Sequence, residues 1–252
     1  MTMMKWAAPT LIALSAQPAS AEALSKVPAQ LNPAKAYVLV EYELMENALK
    51  SLPGSRSRMP LIAGLALARY DAELKDVRGL GRAESNPVPK GQANQERFRS
   101  KVLAKSETSR MLLLELEPDL WVVQGYGNTS FSLGSVSFRL EPGIITDLGV
   151  VSAAPDWAED QRAMNGGDLV KMAFLGPFAK KPDVAPMRAS FRPRTEKDLP
   201  IPAGLPKDKV QAVAFAPDAK FGNYLGGLVN RIDGVNFRMK QKKAEAEAPA
   251  AN

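Results

Sequence analysis

Between Met111 and Val151, strand-length apolar runs are cut by turn residues every few positions. That spacing is too short for helices and suits antiparallel β structure. Met111 to Leu116 ends at Glu117-Pro118-Asp119-Leu120, where proline at the second turn position fixes φ and aspartate suits a type I turn. Trp121 to Gln124 returns as the next strand. Phe131 and Leu133 lead into Gly134-Ser135, which reads as a two-residue hairpin of the Gly-first kind. Beyond it, Val136, Phe138 and Leu140 alternate with Ser135, Ser137 and Arg139. Glu141-Pro142-Gly143-Ile144 carries the Pro-Gly pair of a type II turn, and Ile144 to Val151 forms a further apolar strand. The two Leu-Glu-Pro turns, 24 residues apart, read as successive corners of one β-meander.

The flanking segments extend this pattern. Ala36 to Leu44 sets Val38, Val40, Tyr42 and Leu44 on one face and Glu41 and Glu43 on the other, as a half-buried strand does. Pro60 to Tyr70 is apolar on both faces, and a strand follows around Phe98 to Ala104. Past Ser152 the pattern changes. A helix is expected over Asp156 to Met164 and a second over Leu169 to Leu175, stopped by Gly176-Pro177. Met187 to Arg194 is expected as a sheet-edge strand bounded by Pro186 and Pro193, and Val210 to Phe215 as another strand. The fold class is therefore mainly β: an antiparallel β-sandwich over residues 36 to 152, with a mixed α/β extension over 153 to 237 packed on it.

The ends bear on compartment. Met1 to Lys5 is a short charged n-region, Trp6 to Ala16 an apolar run too short to span a bilayer, and Ala19-Ser20-Ala21 a small-x-small cleavage pattern. Residues 1 to 21 thus read as a secretory signal peptide cut after Ala21, and the expected location is the periplasm or the medium. Residues 22 to 35 read as a flexible lead-in and residues 238 to 252 as a disordered tail. No later run is long enough to cross a membrane, so no transmembrane span is expected after cleavage.

Cysteine and histidine are both absent. Their absence excludes disulfides, a Cys nucleophile, a Ser-His-Asp triad, a His general base and every Cys/His zinc site. No Walker loop, dinucleotide fingerprint or calcium loop is present, so neither a cofactor nor a metal site is expected. Of the formal charge of +6, residues 22 to 150 carry 16 basic against 15 acidic side chains and residues 151 to 252 carry 16 against 12. The basic excess lies in the C-terminal part. Outside the cytoplasm it points away from nucleic acid and toward an anionic envelope surface.

Two side-chain groups stand out. Arg188, Arg192 and Arg194 share one face of the expected edge strand and suit either anion binding or protection of the edge from aggregation. Asp156, Glu159 and Asp160 fall at i, i+3 and i+4, with Trp157 beside them. That cluster suits either helix-start stabilisation or the paired carboxylates of a hydrolase.

The runs Ala36-Tyr37-Val38-Leu39-Val40-Glu41, Leu116 to Val123 and Phe138-Arg139-Leu140-Glu141-Pro142-Gly143 resemble exported Gram-negative proteins of unknown function with a transthyretin-like or carboxypeptidase-regulatory-like β-sandwich. Asp119 and Trp121 depart from that group's glycine and tyrosine, and the resemblance implies no site residues. The expected function is a non-enzymatic envelope protein that binds a partner protein or an anionic surface component. The alternatives are a carboxylate-dependent hydrolase of envelope carbohydrate and a structural accessory subunit.

Overall fold

The structure, a computed structural model, describes residues 22–50, 52–59, 64–97, 101–126, 129–181 and 183–237. The expected leader and tail lie outside these residues. So do residues 60–63 and 98–100 of two expected strands. In chain order the principal strands are β1 (Glu22–Leu24), β2 (Ala36–Glu43), β3 (Leu65–Asp71), β4 (Ser109–Leu116), β5 (Leu120–Tyr126), β6 (Ser135–Arg139) and β7 (Ile145–Pro155). There follow one α-helix, α1 (Gly166–Leu175), and β8 (Met187–Arg192), β9 (Val210–Ala212), β10 (Ala216–Ala219) and β11 (Arg231–Ile232).

The molecule is mainly β. The larger sheet runs β1-β4-β2-β7-β8-β11, with β9 also on β7; the smaller runs β10-β6-β5-β3. One apolar cluster joins the two, with Val38, Val40, Leu112 and Leu114 from the larger sheet and Leu67, Trp121, Val123 and Phe138 from the smaller. Most pairings are antiparallel, but β2 and β9 both run parallel to β7.

β2 is buried on both faces rather than one. Its outward residues Tyr37 and Leu39 join Met111, Leu113 and Ile145 in a second apolar cluster, covered by Leu24, Val27, Leu31, Leu199 and Ile201. The expected flexible lead-in is part of that cover: β1 pairs with β4, and Val27 and Leu31 pack on the sheet. Burying an apolar face against Val and Leu side chains offsets the entropy of ordering these few residues.

Both Leu-Glu-Pro turns differ from meander corners. The first carries the chain from β4 in the larger sheet to β5 in the smaller; the second carries it back from β6 to β7. Ile144 N bonds Glu141 O at 3.3 Å and Gly143 has φ +72°, as the Pro-Gly turn requires. Lys35 links the two crossings: its ammonium pairs with Glu117, and its carbonyl accepts the Gly143 N–H at 2.6 Å. Asp119 in the first turn is clamped by Arg69 and Arg78. Local turn chemistry bends the chain in either case, and only long-range packing decides whether the next strand pairs or crosses.

Gly134-Ser135 is likewise no hairpin. Thr129–Ser130 and β6 both pair antiparallel with β5, so they form one interrupted strand. Phe131 to Gly134 is a turn within it, closed by Gly134 N to Phe131 O at 3.1 Å. The chain boundary expected at residue 152 falls inside β7, and residues beyond it supply strands to both sheets. The extension is woven into the sandwich: β8, expected as an edge strand, lies between β7 and β11 in the larger sheet, β9 also pairs with β7, and β10 ends the smaller sheet.

Candidate functional site

β7 has one partner, β2, along one edge and two partners along the other. β9 pairs with Ile145 to Asp147, and β8 with Val150 to Pro155. Between these contacts the sheet forks at Leu148-Gly149. Gly149 has φ +76°, and a Cβ there would stand 2.2 Å from the Arg192 carbonyl oxygen. Glycine is what lets the strand kink and keep β8 this close. The fork opens into a groove of about 1080 Å³ with Phe191, Leu199, Ile201, Val213 and Phe215 among its lining.

Two of the three arginines lie at this groove, and each of the three meets a carboxylate of the chain itself. Arg188 bonds Asp233 at 2.5 Å near the opposite end of β8. Arg192 forms a bidentate pair with Asp198, both contacts at 2.7 Å, and reaches Glu43 at 3.2 Å. The guanidinium, helped by Thr195, holds the Asp198 carboxyl well below the usual carboxylate range. Arg194 leaves the stripe, because β8 ends at Arg192 and Pro193 has no N–H to pair. It turns onto the outer face of the sheet, bonding Glu41 at 2.5 Å and Asp147 through two contacts of 3.2 Å. An external anion would have to displace these carboxylates, so the stripe offers little free charge.

The acidic group is placed differently from the helix start expected for it. Residues 156 to 164 are not helical, and α1 begins later, capped by Asn165, whose side chain accepts the Asp168 N–H while Asp168 accepts the Asn165 N–H. Local capping chemistry at Asn165 and Asp168 outweighs the helical composition of the preceding residues. Asp156 faces Arg231 at 3.6 Å. Glu159 and Asp160 lie with Asp168 and Asp183 around a hollow of about 510 Å³ that also holds Arg162, Lys171, Lys180 and Lys181. Trp157 is half-buried. Four carboxylates and four cations thus line one hollow, and their formal charges balance. Among the described residues no three carboxylates group as a metal site.

The feature that the site residues chosen from sequence missed is an arm between β7 and β8. Pro155 pairs with Met187, and Asp156 N bonds Pro186 O at 2.7 Å, so the intervening residues leave and re-enter at one point. Within that arm α1 buries none of its residues. Phe174 is 85% exposed, Phe178 90%, Val170 55% and Leu175 53%. The signal was present in the run Leu169-Val170-Lys171-Met172-Ala173-Phe174-Leu175, in which Lys171 is the one charged residue. Among the described residues no helix is long and apolar enough to cross a membrane. No protein-family model, no curated protein and no solved structure matches this chain, so its site is read from its own geometry.

Proposed function

We propose that this chain is a non-enzymatic extracytoplasmic protein of the cell envelope that works by binding, and that the arm between β7 and β8 is its binding element. One observation carries the reading: large apolar side chains at Val170, Phe174, Leu175 and Phe178 stand in solvent on a well-capped helix anchored to a doubly layered β scaffold. Contiguous exposed apolar surface is a liability in a free monomer, and it marks surfaces that become covered. The scaffold supplies rigidity through its core, while the arm contributes almost nothing to that core. The basic balance of the C-terminal half and the leader-like first 21 residues support an envelope setting.

The test is replacement of residues 157–184 by a short Gly-Ser turn between the paired ends of β7 and β8. The shortened protein is expected to keep its thermal transition and to lose its association with the envelope fraction of cells. An unchanged distribution between envelope and soluble fractions would overturn the reading.

A further inference from the structure

The arm's composition specifies what covers it. At about 100° per residue, Leu169, Val170, Met172, Ala173, Phe174 and Leu175 fall in every quadrant around α1. A protein groove covers one stripe of a helix, whereas α1 is apolar around most of its circumference, with Asp168 and Lys171 together on one side, as suits a helix lying at a lipid interface. Ten residues rise only about 15 Å, too little to span a bilayer and enough to enter one leaflet. Gly176-Pro177 ends the helix and turns Phe178 outward, where it is 90% exposed.

The charges divide along the arm. From Val170 to Lys181 the only charged side chains are Lys171, Lys180 and Lys181; Glu159, Asp160, Asp168 and Asp183 sit outside that stretch in sequence but border the same hollow, and Lys180 pairs with Asp183 at 3.7 Å. Cations flanking exposed aromatics match an anionic headgroup layer over an apolar interior. We propose that the tip of the arm inserts at the headgroup–acyl boundary of an anionic lipid bilayer, with Phe174 and Phe178 entering the apolar layer and the three lysines against the headgroups. This rests on the arm being the binding element and goes further in naming what it binds.

The chain has no cysteine, so Ala179→Cys gives a single site for an environment-sensitive fluorophore at the tip. Full-length protein is mixed with vesicles of phosphatidylcholine alone or with added phosphatidylglycerol. Binding and a blue shift are expected only with the anionic vesicles, weakening as salt rises from about 0.1 M to about 1 M and the screening length falls. Phe174→Ser with Phe178→Ser should lower the partition coefficient by about tenfold or more at any salt. Lys171→Gln, Lys180→Gln and Lys181→Gln together should lower it by a similar factor at low salt only. Wild-type protein that ignores anionic vesicles, or a double-serine variant that partitions as well as wild type, would overturn the lipid assignment. If that happens while arm replacement still abolishes envelope association, the arm binds a protein. If arm replacement also changes nothing, both readings fall.

Discussion

Arg194 and Glu41 meet at 2.5 Å although 153 residues separate them, and the contact joins the loop after β8 to a central strand of the larger sheet. Glu41 is 2% exposed. It also accepts Ser109 Oγ at 2.5 Å and the Leu199 N–H at 3.0 Å, so its oxygens are satisfied from β4 and from the loop after β8. Arg194 in turn carries Asp147. Removing the cation leaves the buried Glu41 and the half-buried Asp147 without their charge partner. Arg194→Leu is therefore expected to destabilise the fold by about 3–5 kcal/mol in urea denaturation at neutral pH. Arg188→Gln, which loses a solvent-exposed pair, should shift the same curve little.

Asp76 ties the loop after β3 to the C-terminal segment. Its oxygens accept Val77 N at 2.9 Å, Gly222 N at 3.1 Å, Arg82 N at 3.1 Å and Tyr224 Oη at 3.0 Å. Burial alone would raise its pKa, but these hydrogen bonds prevail and hold it below the ordinary carboxylate value. A depressed folded pKa means that the stabilisation is complete above the unfolded value of about 3.9 and is lost as pH falls below it. Asp198 and Asp71 shift in the same direction. The melting temperature should fall below about pH 4, and Asp76→Asn should flatten that fall while lowering stability at neutral pH.

Gly149→Ala tests the fork. The left-handed backbone strains any side chain there, and the 2.2 Å approach is to a backbone oxygen of Arg192 that cannot rotate away. A loss of about 1–3 kcal/mol from strain alone is expected, with faster amide exchange in β8 than in β4.

Cleavage after Ala21 would make Glu22 both the new N-terminus and the first residue of β1, opposite Glu115. N-terminal sequencing of protein recovered from periplasm or medium should begin at Glu22. A product that retains Trp6 to Ala16 would mean an anchor instead.

The sequence by itself determined the class of structure and several of its parts. Alternating residues gave β8 its faces, Pro142-Gly143 its turn, and Gly176-Pro177 the end of α1, because each depends on side chains and backbone within a few positions, whereas β6 is buried on both faces from Ser135 to Phe138. The missing cysteine and histidine bounded the chemistry in the same local way. Tertiary structure decided the rest. Whether Glu117-Pro118-Asp119 makes a hairpin or a crossing depends on Arg69, Arg78 and Lys35 reaching it from elsewhere. Whether three arginines are free or paired depends on Glu41, Glu43, Asp147, Asp198 and Asp233 folding onto them. Whether an apolar helix is core or exposed depends on which surface the remaining chain leaves open. Charges and apolar faces acquire their partners through contacts between residues far apart in sequence, and periodicity carries no information about those.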